Sequence, residues 1–242
     1  MIGSAMVCAG SAALNHYLER ESDALMKRTK NRPIPTGIIS ANHAMLFGVF
    51  LTLCGVLLLC LEVNLLTAFL SLLTAFLYVL VYTPMKKISW LNTTLGAIPG
   101  AIPPMGGWAA ATGEVTIGAW VLFLIMFVWQ HPHFYSIAWL FKEDYKQAGF
   151  KMLSGEDTDG KRLFLHTLVY SIILIPISVL PTIVGISGRT YFYGALVLGF
   201  AFLYFSRKFQ QSVSTKVAHQ LLKASVFYLP ALLFLIIIDR SF

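Results

Sequence analysis

Charge is scarce in this chain. Only 12% of its 242 residues are Asp, Glu, Lys or Arg, against about 25% in an ordinary soluble domain, while 57% are hydrophobic. That balance excludes a soluble globular fold and requires the few charges to cluster. Cysteine is scarce too. Cys8, Cys54 and Cys60 all lie in apolar stretches, with no CxxC or Cys/His zinc spacing, so a disulfide framework and a structural zinc site are excluded and the three read as small buried hydrophobes. No Walker A, Gly-x-Ser-x-Gly or HExxH pattern occurs, which leaves ATPase, hydrolase and zincin chemistry unsupported. Neither a cleavable signal peptide nor an Arg/Ser-rich transit segment is expected.

What is there is a series of apolar runs near the ~20 residues needed to cross the hydrocarbon core. Eight are expected, at 1–18, 41–61, 65–83, 91–111, 116–140, 163–184, 190–206 and 219–238. The fold class is therefore all-α, a polytopic transmembrane bundle. Alternate connections 19–40, 84–90, 141–162 and 207–218, with Lys223, hold every Lys and Arg of the 18 except Arg189 and Arg240. Excess Lys and Arg mark the cytoplasmic side of a bacterial inner membrane or, as the alternative, the matrix side of a mitochondrial one. Of the eleven acids, only Glu62, Glu114 and Asp239 fall opposite. The net charge of +7 reflects orientation and contact with anionic membrane lipid. Nucleic acid is not an expected partner, because the cations flank apolar spans and form no groove. The two long loops, 19–40 and 141–162, form a cytoplasmic-side cap over a central cavity.

Asn15, Glu19 and Asp23 recur every fourth residue at the end of the first run. On a helix they share one face, a strip about 12 Å long at ~1.5 Å per residue. Polar groups at that depth are expensive and usually functional, and Mg²⁺ is commonly held by one or two carboxylates together with substrate phosphates. The basic run KRTKNRPIPTG follows at 27–37, so Arg28, Lys30 and Arg32 are candidate clamps for phosphate oxygens. A second acidic pair, Glu143 and Asp144, follows the run ending near Leu140. Two such strips facing each other would hold Mg²⁺ and, through it, a diphosphate. In YTPMKKISWLN (82–92), Tyr82 and Lys86 are candidates to orient and neutralise that diphosphate.

Two further segments are distinctive. GAIPGAIPPMGG (96–107) reads as a kinked span shaping a wall for a large apolar ligand. In WQHPHFYSIAW (129–139), His131 and His133 are two apart, so an unbroken helix points them to different faces, unless Pro132 distorts it. Haem-iron ligation, hydrogen bonding to a propionate or diphosphate, and proton carriage remain open for them.

Taken together, the Asn15–Glu19–Asp23 strip with KRTKNRPIPTG, YTPMKK, GAIPGAIPPMGGW and WQHPHFYSIAW with LFKEDYKQAGFKM resemble the UbiA-type intramembrane prenyltransferases. The similarity is to the protoheme IX farnesyltransferase (haem O synthase) branch, clear from about Ser11 to Leu153. It implies nine transmembrane helices around a central cavity, of which this chain would lack the first, residues 1–242 forming one domain. It implies Mg²⁺-dependent transfer of farnesyl from farnesyl diphosphate to a vinyl group of haem b, giving haem O, with a downstream haem A synthase as a further partner. By that resemblance, Asn15, Glu19, Asp23, Glu143 and Asp144 are the metal-site residues, and His131 and His133 the haem-binding ones. Phe141 stands where the wider family often has a second Asp. The alternatives are a UbiA-type enzyme with an aromatic acceptor, a hydroxybenzoate or quinone precursor, and a truncated, inactive haem-binding membrane protein.

Overall fold

The structure is a computed structural model that describes residues 1–157, 159–212 and 214–239; Arg240 lies outside the described residues. It is all-helical, with no sheet among the described residues. Eight long rods coincide with the eight expected runs. They are α1 (Ile2–Leu25), α2 (Ala41–Glu62), α3 (Leu65–Phe76) continued by a π-helical turn (Leu77–Tyr82) and α4 (Thr83–Met85), α5 (Asn92–Thr112), α6 (Ile117–Leu140), α9 (Lys161–Ser178) continued by α10 (Leu180–Ile183), α11 (Arg189–Gln211) and α12 (Thr215–Ile238). Short helices α7 (Lys142–Gln147) and α8 (Leu153–Glu156) lie in the second long loop. Five rods, those at 41–62, 65–85, 117–140, 161–183 and 215–238, are both long and apolar enough to cross a bilayer.

The outer surface is apolar, as lipid requires. Phe47, Phe50, Leu57 and Leu61 on α2, and Val197 and Phe200 on α11, are exposed. Cys60 is exposed on α2 and Cys8 on α1, contrary to the expectation that both are buried: Cys8 lines the cavity described below. Between helices there is no hydrophobic drive in lipid, so association relies on close packing and polar contacts.

α1 and α2 obtain it from glycine. Gly3 and Gly10 face Gly55 and Gly48, and the spacing is seven residues in each helix. A Cβ on Gly10 would lie 2.7 Å from the Gly48 carbonyl, and one on Gly55 2.7 Å from the Gly3 carbonyl. The backbones touch, and nothing larger fits. The other half, α9, α11 and α12, is tied by buried polar contacts: Ser171 to Ser206 (2.7 Å), Ser178 to Tyr228 (2.6 Å), and Tyr191 Oη donating to the Ser178 carbonyl (2.6 Å).

α5 remains helical through Pro99, Pro103 and Pro104. Its Gly/Pro face is turned to open space: a Cβ on Gly106 or Gly107 would meet nothing within 4 Å. On the Lys/Arg-rich side, here called inner, the two long loops meet as expected. Met26 packs with Ala148, Phe150 and Met152. The Lys151 N–H donates to the Lys86 carbonyl (2.7 Å), and Asn92 Nδ2 donates to the Ser89 (2.7 Å) and Lys151 (2.9 Å) carbonyls. These bonds fasten the cap to the turn between α4 and α5.

Gly10→Leu should force α1 from α2 and cost about 1–3 kcal/mol, the usual penalty of overpacking. Gly107→Leu, which enters open space, should leave stability unchanged. Thermal melts of the two variants in detergent check this contrast: only Gly10→Leu should lower Tm.

Candidate active site

A cavity of about 1000 Å³ lies between α1, the α3 rod, α5 and α6. Most of its wall is aliphatic or glycine, including Val7, Leu59, Leu70, Ile102 and Gly107. Polar groups gather at its inner end, where Arg28, Tyr82, Thr93 and Tyr145 contribute. The wall on α1 runs Ser4, Cys8, Ser11, and the same helix face continues inward through Asn15, Glu19 and Asp23. The strip thus adjoins the cavity and does not line it. Lys86 connects them, with Nζ 2.7 Å from Glu19 Oε1 and 4.6 Å from the centre of the Tyr82 ring.

Each member of the strip is buried and has a partner outside α1. Asn15 Nδ2 donates to Thr83 Oγ1 (3.0 Å), whose own hydroxyl donates to the Tyr78 carbonyl (2.8 Å). The π-helical turn sets this register, placing Tyr78 and Tyr82 with stacked rings on the cavity wall. π-turns within helices are frequent at functional sites. The Lys86–Glu19 contact is ionic, the Lys86 ammonium standing directly against Oε1. Asp23 is wholly buried. Its Oδ2 accepts from Arg32 Nη1 (2.6 Å), its carbonyl accepts from Thr29 Oγ1 (2.9 Å), and its Oδ1 has no partner.

Asp144 comes to the same end of the molecule. Its Oδ2 accepts from the Arg28 backbone N–H at 3.4 Å, and the Arg28 guanidinium lies over the rings of Phe141 (5.1 Å) and Tyr145 (6.0 Å). Burial, partly offset by Arg28, raises the Tyr145 hydroxyl above the ordinary phenol range, so it stays a donor. Glu143 and Lys30 are exposed to solvent on the cap. Among the described residues, no three His, Cys, Asp or Glu come close enough to enclose a metal alone. The two acidic segments are neighbours, not a closed cage.

The histidines face away from the cavity. α6 continues unbroken through Pro132, so His131 and His133 point to different sides and neither lines the cavity. His131 is wholly buried. Its Nδ1 donates to the Phe127 carbonyl (2.8 Å), its Nε2 accepts from Thr94 Oγ1 (3.3 Å), and its ring stacks on Tyr170 at 3.7 Å. His133 turns to α12, with Nδ1 2.8 Å from Ser225 Oγ and its ring stacked on Trp129. The Ser225 hydroxyl is spent on the Leu222 carbonyl, so the imidazole donates. Both histidines thus bind helices together, and neither lines the cavity.

α6 lines the cavity with Gln130, Phe134 and Ile137, and the polar one of these, Gln130, is the one that sequence reasoning passed over. It was visible as an amide in the middle of an apolar span, between Trp129 and His131. Thr83 was missed as well, since nothing local links it to Asn15.

Comparison with known proteins agrees with this geometry. Residues 1–230 match the model of the UbiA prenyltransferase family. The chain is 47% identical over 240 residues to protoheme IX farnesyltransferase of Solibacter usitatus, covering 99% of this chain and 82% of the relative. It is 41% identical to that of Salinibacter ruber, covering 99% and 84%. Among solved structures, that of digeranylgeranylglyceryl phosphate synthase superposes with a TM-score of 0.78 at 21% identity, over 97% of this chain and 81% of the other. A UbiA homologue from Aeropyrum pernix gives 0.68 at 16% identity, over 96% and 86%. The family match, the similarity to these relatives over 99% of this chain and the shared fold converge: the chain belongs to the UbiA prenyltransferase family, on the branch formed by the protoheme IX farnesyltransferases.

Proposed function

We propose that this protein transfers a farnesyl group from farnesyl diphosphate to a vinyl group of haem b, giving haem O. The observation that carries the reading is Asp23, a wholly buried carboxylate with one oxygen free, beside Arg32 and on the helix face that continues inward from a mainly apolar cavity. A diphosphate with a long apolar tail matches that polarity. The volume is at the upper end of the ~300–1,000 Å³ usual for a single ligand, which suits two large substrates. The choice of haem as acceptor rests on the relatives, which bear the name protoheme IX farnesyltransferase.

The donors present fit Mg²⁺. Asp23 Oδ1 is without a partner, the Glu19 carboxylate lies one turn away against the Lys86 ammonium, the Asn15 amide continues the same helix face, and Mg²⁺ takes its remaining ligands from water and substrate phosphate. Asp144 and Glu143 would supply the opposite side. When bound, the ion neutralises charge developing on the leaving diphosphate. The residues do the rest. Arg28, Arg32 and Lys86 clamp phosphate oxygens, with Lys30 adding charge at the cap, and the Tyr82 and Tyr145 hydroxyls orient the diphosphate. In the structure Arg32 and Lys86 face the carboxylates, and that pairing keeps the buried anions compensated.

Cleavage of the C1–O bond leaves its electron pair on the diphosphate and an allylic cation at C1. The vinyl π electrons form the new C–C bond, a cation develops at the vinyl carbon attached to the porphyrin, and water captures it. The apolar wall keeps other water away. The charge asymmetry of the loops supports a site on the cytoplasmic side of a bacterial inner membrane.

Purified protein given haem b, farnesyl diphosphate and Mg²⁺ should yield haem O, identified by mass; its absence would overturn the proposal. Asp23→Asn should lower turnover by about 10²–10³-fold, the usual scale of a lost electrostatic group, while leaving haem binding intact. Turnover and haem absorbance titrations on the same preparation measure both.

A further inference from the structure

The amide of Gln130 has a fixed orientation. Its Nε2 donates to two backbone carbonyls, Ala97 (3.2 Å) on α5 and Met126 (3.0 Å) on α6. Both partners are acceptors, so the nitrogen must face them and Oε1 must face away. The oxygen points towards Gly100, where an added Cβ would collide with it, and both residues line the cavity. Gly100 leaves room for Oε1, and the two N–H bonds hold it. The result is an acceptor-only oxygen, with no proton to give, aimed into a mainly apolar space.

Its depth is informative. The Tyr82 ring lies against Gly96, at the level where Lys86 joins the Glu19 carboxylate to the cavity. Gly100 is one turn further along α5, about 6 Å at ~1.5 Å per residue. Gln130 therefore sits about one turn deeper than the diphosphate end, where farnesyl C1 and the reacting vinyl group would meet.

Building on the farnesyl-transfer reading above, we infer that Gln130 positions the water that captures the porphyrin-side cation, by accepting a hydrogen bond from it through Oε1. The water oxygen then directs a lone pair at the cationic carbon and forms the C–O bond. The surplus proton of the resulting oxonium passes to the departed diphosphate, a stronger base than an amide oxygen. Gln130 itself is unchanged. Without a held water the same cation is quenched by losing a proton from the adjacent carbon to the diphosphate, which gives an alkene one water lighter than the hydroxylated product. Gln130 is thus a positioning residue that sets the fate of the cation and has no part in forming it.

The test is the ratio of hydroxylated to dehydrated farnesyl-haem, read by mass for wild type, Gln130→Met and Gly100→Ala in detergent with haem b, farnesyl diphosphate and Mg²⁺. Met keeps the length of Gln and removes the oxygen; Ala at position 100 keeps the amide and displaces the oxygen. Each should shift the ratio about ten-fold towards the alkene, the effect of losing one hydrogen bond, with total haem b consumed less affected. Either variant turning over with the wild-type ratio overturns the role of Gln130 alone. Wild type that yields neither product overturns the farnesyl-transfer reading, and this inference with it.

Discussion

The buried contact between Asp23 and Arg32 is the constraint around which the inner end of the molecule is arranged. A carboxylate with no solvent exposure at the edge of a membrane protein must be compensated, and losing its partner would cost about 3–5 kcal/mol. Arg32 supplies that compensation from a loop held by two prolines and by the Thr29 bond to the Asp23 carbonyl. Lys86 supplies it for Glu19 from the turn after α4. One bridge therefore ties α1 to the first loop, and the other ties α1 to the α3 rod. The second loop is fastened to that same turn through Lys151 and Asn92. The cap is one connected structure, and its connections are the groups proposed to handle the diphosphate.

Below the cap the logic changes from charge to size. α1 and α2 pack through four glycines, and α5 presents glycine and proline where other helices would place bulk. Small residues serve two ends here. Between α1 and α2 they let backbones touch, and on α5 they leave space unfilled. The cavity exists because its wall lacks side chains, and at Gly96 and Gly100 that absence admits Tyr82 and Gln130 from neighbouring helices. The polar inner end and the apolar body together match an amphipathic allylic diphosphate.

How far the sequence revealed this depended on the range of the interaction. The rods and the acidic strip were legible, because apolar runs and four-residue spacing are local signals, and Glu19 and Asp23 prove to lie on an α1 that runs on to Leu25. The gathering of Asn15 with Thr83, or of Asp144 with Arg28, was not legible in detail, since those pairs are brought together only by the packing of α1 against the α3 rod and the cap. The directions of His131 and His133 were not legible, because Pro132 between them left the local helix geometry open. In the folded chain α6 does not bend enough at Pro132 to bring them onto one face, and Tyr170, Thr94 and Ser225 occupy their polar and aromatic surfaces. Gln130, one residue earlier, takes the cavity-facing position instead.

The central claim is that Asp23 and Glu19 form one side of a cation site completed by the diphosphate of the substrate. Mn²⁺ used as a paramagnetic substitute for Mg²⁺ tests it most directly, titrated into protein with and without a non-reactive farnesyl diphosphate analogue and followed by electron paramagnetic resonance. The account predicts tight Mn²⁺ binding only when the diphosphate is present, and its loss in Asp23→Asn. Equal Mn²⁺ binding by wild type and Asp23→Asn in the presence of the analogue would contradict it.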